Sequence, residues 1–301
     1  MRLVTRADFD GLACGTLLLE LGIIDSWKFV HPKDLQDGKL QVTEADVLAN
    51  VPYVPGCGLW FDHHASEFER VSADIDVEGA RYLSPSCARI IYDYYECESR
   101  FPHLAEMITA VDKVDSAELT ADEITNPKGW VLLGFLMDPR TGLGRHKDFS
   151  IGNWELMEEM MDNCRNYSID ELMLMPDIAE RVEYYNQQSE NFREMILKHS
   201  RAEGDIIITD LRGASVIHSG NRFILYSLFP AQNISIWVVD GLAGENCVIA
   251  VGHSILNRTS TADVGNIMAK YGGGGHQKVG TCQVPYDEAD FTIEEIIEAL
   301  R

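Results

Sequence analysis

The 301-residue chain is 46% apolar and carries 48 acidic against 25 basic residues, a net charge of −23. That length and apolar content suit two globular domains with substantial cores, while the charge repels polyanions at long range and argues against a duplex nucleic-acid groove. No run approaches the roughly 18 apolar residues of a membrane span, acids by position 8 break any secretory leader, and seven scattered cysteines without a CxxC pair suit a reducing cytoplasm.

The chain opens with the apolar run RLVT, a helical pattern from about Leu12 to Leu21, and then the runs WKFV, ADVLAN and GLWF. Short strands alternating with helices predict a parallel α/β sheet. Ligands of such sheets collect at the carboxyl ends of the strands. Asp8 and Asp10 fall between the first run and the first helix. Two carboxylates held close repel each other unless a cation sits between them. Locally, Asp10 also suits a helix cap near Gly11, and Asp8 ordinary loop chemistry.

GLWF leads straight into Asp62, His63 and His64, one hard oxygen donor and two imidazoles at a strand end. This set suits manganese, iron, cobalt or zinc. SPSCARIIYDYYE and FPHLAEMITAV predict two helices. The second runs on to Asp112 and Asp115, three apart and on neighbouring faces, so that either reaches the site or stays on an exposed terminal turn. Residues 139–153, rich in glycine and basic residues, read as a long loop and candidate lid, and residues 169–199 as a polar helical connector.

Beyond RAEGD at 201–205 the periodicity turns to β, with IIITDLR, ISIWVVD and CVIAVGHS, a helix at about 262–270, and a closing helix FTIEEIIEALR. YGGGGHQKVG holds four successive glycines and then His276. Glycines let several backbone N–H groups converge on an anion, or they simply make a turn. No Walker lysine follows.

DFDG, then DHH, then an aspartate after a helix, and finally GGGH resemble, in that order, the DHH phosphoesterase superfamily with its associated C-terminal domain. Within it the chain looks most like the exopolyphosphatase-related proteins. The resemblance implies an α/β protein with a parallel-sheet N-terminal domain over residues 1–200, connector included, and a smaller mixed-sheet domain over 201–301. Substrate would lie in a cleft between them. It implies metal ligation by Asp8, Asp10, His63 and Asp112, contact or proton transfer by His64, orientation by Asp62, and substrate binding by Arg258, Gly273, Gly274, Gly275 and His276. Two positions depart from the family pattern, since Arg6 stands where a histidine is expected and Asn50, or in another register Asp46, where a bridging aspartate is expected. Arginine cannot ligate a metal but can grip a phosphate. One tight divalent cation is therefore expected, manganese first, with magnesium, cobalt or zinc as alternatives.

The expected activity is metal-assisted attack of water on a short phosphate-rich substrate: a short single-stranded oligonucleotide, a nucleotide or polyphosphate. The alternative is a non-catalytic phosphate-ligand binder that keeps the same cleft. Duplex nucleic acid and membranes are not expected partners; a homodimer is compatible. His31, Lys33, Arg140 and Arg145 are secondary candidates for the cleft.

Overall fold

A computed structural model describes residues 1–72, 75–241 and 244–301. The chain forms two compact units, residues 1–118 with 126–185, and residues 119–125 with 186–301. The division between these units falls inside the helix Pro176–His199. Among the described residues no helix is long and apolar enough to cross a membrane.

The first unit is built on five parallel strands: β1 (Arg2–Thr5), β2 (Ser26–Phe29), β3 (Asp46–Ala49), β4 (Leu59–Asp62) and β5 (Glu78–Arg81), in the order β2-β1-β3-β4-β5. Every residue of β3 and β4 is buried, as expected of central parallel strands covered on both faces. The chain leaves β1 for one side and returns to its other side at β3. That reversal opens a crevice at the carboxyl ends of β1 and β3.

Strand β5 has the sequence EGAR and gives no apolar signal. It pairs because Gly79, at φ +123°, lets the backbone pass Trp60, whose carbonyl oxygen would lie 2.1 Å from a Cβ there. The first helix, Phe9–Glu20, begins before Leu12, since Asp8 caps it by accepting from the N–H of Gly11. The expected connector divides in two. A short helix, Ile169–Leu172, ends before Pro176, which opens the long helix Pro176–His199 from a position where its missing N–H costs nothing.

The segment 139–153 contains two short 3-10 turns, Pro139–Thr141 and Leu143–Arg145. Its far end is tied down rather than loose. Arg181, 1% exposed, donates to the carbonyl of Ile151 at 2.7 Å, and His146 stacks on Tyr184 with centroids 4.1 Å apart.

The second unit has strands β6 (Ser200–Glu203), β7 (Ile206–Asp210), β8 (Ile234–Asp240), β9 (Cys247–His253), β10 (Gly274–His276) and β11 (Val279–Val284). Their order is β10-β11-β9-β8-β7-β6, with only β7 and β8 parallel. One face carries Ile208, Ile236, Val238, Ile249 and Val251 against Ile293, Ile296 and Ile297 of the helix Ala289–Leu300. Alternation in the strands meets a three- and four-residue spacing in the helix. Truncating Ile236 or Ile249, both 0% exposed, to alanine costs about 2–5 kcal/mol.

Candidate metal centre

The carboxyl ends of β1, β3 and β4, with the turns and helix start that follow them, bring Arg6, Asp8 and Asp10, then Asn50, then Asp62 to His64 to one sheet edge. Asp10 is 1% exposed and accepts two backbone N–H groups, from Cys87 at 3.0 Å and Ala88 at 2.8 Å, at the start of the helix Cys87–Tyr94. Burial, and next the negative charge of Asp115, push its carboxyl up to about 7, against the opposite pull of His63.

His63 completes the geometry. Its Nδ1–H donates to the carbonyl of Ser84 at 3.1 Å, which leaves Nε2 as the lone pair. That nitrogen is buried, makes no hydrogen bond among the described residues, and points at Asp115 Oδ2, 3.3 Å away, and Asp10 Oδ2, 3.7 Å away. One ligand atom from each of Asp10, His63 and Asp115 lies within 4.8 Å of the others. Two buried carboxylates and an imidazole nitrogen converging on one point are costly unless protons or a cation sit between them. The residues therefore fit a divalent metal ion, and their oxygen and imidazole donors suit manganese, cobalt, iron or zinc. The nearby thiol of Cys87 is pushed by burial to about 11, stays protonated, and donates to the carbonyl of Phe61 instead.

Asp112 does not join this group. Ser86 donates to its Oδ1 at 2.7 Å, while Arg89 donates to its Oδ2 through Nε at 2.9 Å and Nη2 at 2.7 Å. Both partners come from the capped start of the helix Cys87–Tyr94, which claims this carboxylate for packing. One turn on, at the end of the helix Ala105–Asp115, Asp115 is the carboxylate that meets His63. Burial raises its carboxyl, as does Asp8, while His63, His64 and Arg140 pull it back.

Asp8 also stands outside the converging atoms. Its Oδ1 accepts from Gly11 N–H at 2.9 Å and from the amide of Asn50 at 3.0 Å, and its Oδ2 pairs with Arg6 Nε at 3.1 Å. Asn50 holds φ +56°, a left-handed backbone that asparagine tolerates. Asp46 takes no part, because Arg2 and Thr43 occupy its carboxylate. Asp62 Oδ1 accepts from His64 Nδ1 at 2.8 Å, and its Oδ2 is buried with no hydrogen-bond partner among the described residues. Burial disfavours a charged His64, yet Asp62 outweighs it and lifts the imidazole above its usual range. His31 caps the short helix Pro32–Gln36, and Lys33 pairs with Asp37, both local roles.

In the second unit the glycine loop is a hairpin between β10 and β11. A Cβ at Gly273 would lie 2.0 Å from the carbonyl oxygen of Thr281, and one at Gly275 2.1 Å from that of Val279, so the hairpin itself requires both glycines. A Cβ at Gly274 would meet nothing within 4 Å. His276 is exposed at the end of β10, and Arg258 is exposed on the turn before the helix Val264–Ala269, its Nε donating to Ile255 O at 2.9 Å.

A parallel sheet whose carboxyl edge gathers two aspartates around the first histidine of a DHH sequence defines the phosphoesterase class that carries that name. The chain belongs to the DHH phosphoesterase superfamily. Its structure is similar to that of a pGpG-specific phosphodiesterase, PggH from Vibrio cholerae, with 43% identity over 99% of this chain and 98% of that one and a TM-score of 0.84. It shares the fold of an exopolyphosphatase-related protein from Bacteroides fragilis, with 12% identity over 99% of this chain and 91% of that one and a TM-score of 0.50. The same holds for RecJ from Thermus thermophilus, solved with Mn2+, at 11% identity over 99% of this chain and 51% of that one and a TM-score of 0.56. No family model matches the sequence, and no curated protein does.

Proposed function

We propose that this protein is a divalent-metal-dependent phosphodiesterase that hydrolyses a short linear dinucleotide of the pGpG kind. The observation that carries this reading is the end-to-end 43% identity to a pGpG-specific phosphodiesterase, and the Asp10–His63–Asp115 convergence supplies a place for the chemistry.

In this reading one cation, manganese in the first instance, is held by Asp10, His63 and Asp115. When bound it neutralises the two carboxylates, polarises a phosphoryl oxygen and makes water a better nucleophile at neutral pH. The protein's own groups do the rest. Ser84 fixes the His63 tautomer through its carbonyl. Asp62 fixes the ring of His64 and favours its charged form, so that His64 holds a proton for the leaving oxygen or a positive charge for the phosphate. Arg6 and Asn50 satisfy Asp8 without a metal, which supports one tight site over two. The glycine hairpin, with Gly274 open, is proposed as an anion seat of the second unit alongside His276 and Arg258.

The occupation of Asp8 by Arg6 and Asn50 also favours a second reading, a binder of phosphate ligands without turnover. One assay separates the two: purified protein with Mn2+ against pGpG, a cyclic dinucleotide and short polyphosphate, with His63→Ala as control. Turnover of pGpG that disappears in His63→Ala supports the enzyme. Tight pGpG binding without cleavage supports the binder, and turnover untouched by His63→Ala removes the proposed site.

A further inference from the structure

Arg140 lies on the turn Pro139–Thr141, held there by Asp138. Asp138 accepts from its backbone N–H at 2.8 Å and from its Nε at 2.8 and 3.2 Å, one distance to each oxygen. The Asp138 side chain is 8% exposed, that of Arg140 58%. Of the guanidinium nitrogens Nε alone meets Asp138, and among the described residues Arg140 makes no Nη hydrogen bond and no other ion pair.

The helix Gly129–Met137 leads into this turn and lies against the metal centre's own elements: a Cβ on Gly134 would stand 2.8 Å from Phe9, the residue between Asp8 and Asp10, and 3.2 Å from Val114, the neighbour of Asp115. Burial opposes the Arg140 charge, Asp138 more than restores it, and the charges of Asp8 and Asp115 add to the same side. Neither Asp8 nor Asp115 is within ion-pair distance of it. Arg145, on the next turn, serves a different purpose: its guanidinium packs 2.1 Å from where a Cβ would stand on Gly142, so it closes the turn. Gly142 sits at φ +87° and allows that approach.

Building on the phosphodiesterase reading, we propose that Arg140 grips the non-bridging oxygens of the phosphate presented to Asp10, His63 and Asp115, with Asp138 as its positioning residue. Two Nη groups at one end of a planar fork match two phosphoryl oxygens, which an ammonium cannot do. Tethering at Nε fixes the fork before the substrate arrives, so little side-chain freedom is lost on binding.

The test compares wild type, Arg140→Ala and Arg140→Lys in three readouts: pGpG turnover with Mn2+, inhibition by inorganic phosphate, and Mn2+ affinity by electron paramagnetic resonance. Arg140→Ala is expected to lose about 100-fold or more in kcat/KM and to lose phosphate inhibition in parallel, with Mn2+ affinity unchanged or higher. Arg140→Lys should recover only a minor part, and added guanidinium should partly rescue the alanine variant. Wild-type turnover and phosphate inhibition in Arg140→Ala would overturn the proposal, as would Mn2+ affinity falling in step with turnover. If wild type leaves pGpG intact, the phosphodiesterase reading fails by itself. Calorimetric titration of inorganic phosphate into Mn2+-loaded wild type and Arg140→Ala then decides Arg140, and equal affinities, or no binding to either, count against it.

Discussion

The side-chain amide of Asn50 donates to Asp8 Oδ1 at 3.0 Å, from a residue 1% exposed and held at φ +56°. Asn50 thus fills with a hydrogen bond the place where the family pattern leads one to expect a bridging carboxylate. Aspartate tolerates the same backbone, so Asn50→Asp keeps the loop while setting one carboxylate against another. On its own it should lower the stability of the metal-free protein. Combined with Arg6→His, it is expected to raise tightly held Mn2+ from one to two ions per chain in metal analysis of dialysed protein. A count that stays at one would show that the second position is lost for other reasons.

Asp112 and Asp115 should separate in their effects. Asp115→Asn removes a proposed ligand and also a like charge beside Asp10. Mn2+ affinity is expected to fall by more than the roughly 10- to 100-fold typical of losing an outer partner, while the metal-free protein melts no lower. Asp112→Ala strands Arg89 and Ser86 and should cost about 1–3 kcal/mol in denaturant unfolding, with Mn2+ affinity retained. The reverse pattern would restore Asp112 as the ligand.

The Asp10 carboxyl gives a pH signature. Its pKa in the folded, metal-free protein is raised to about 7 from 3.8, so its contribution to stability is fully present below about pH 3.8 and is lost as pH rises through about 7. Metal-free protein should therefore lose stability between about pH 4 and 7, a loss that Asp10→Asn removes. Binding of Mn2+ at pH 6 must displace the proton, and at pH 8 much less so. Calorimetry in two buffers of different ionisation enthalpy reads this release directly; equal release at both pH values would contradict the raised pKa.

The glycine hairpin offers a fold-neutral probe. Gly274→Ala adds a methyl group where nothing lies within 4 Å, so melting should be unchanged while the affinity for an anionic ligand falls. Gly275→Ala collides with a carbonyl oxygen in the hairpin and should destabilise the second unit. Loss of stability in both variants, or unchanged pGpG affinity in Gly274→Ala, would leave the loop with no role beyond its turn.

What could be read in advance followed burial. The strands β1, β3, β4, β8 and β9 are apolar runs because both faces or one face must be covered, and the aspartates and histidines at their ends stood out against them. Strand β5 could not be read, since EGAR pairs through a glycine's lack of a side chain; β6, with SRAE, is a polar edge strand. The choice between Asp112 and Asp115 was equally hidden: it depends on Arg89, a residue from another helix that reaches only one of the two. For Arg140 the signal was faint but present in DPR, an aspartate two residues before an arginine at the start of a turn.

His63 takes its orientation from the main chain of Ser84, not from a side chain. A carbonyl is common to every amino acid, so the identity of residue 84 is free to drift through evolution without releasing the imidazole. What must persist is the local path of the backbone, and Pro85 guards it by confining the preceding residue to extended conformations. Homologues should then vary at 84 far more than at 85.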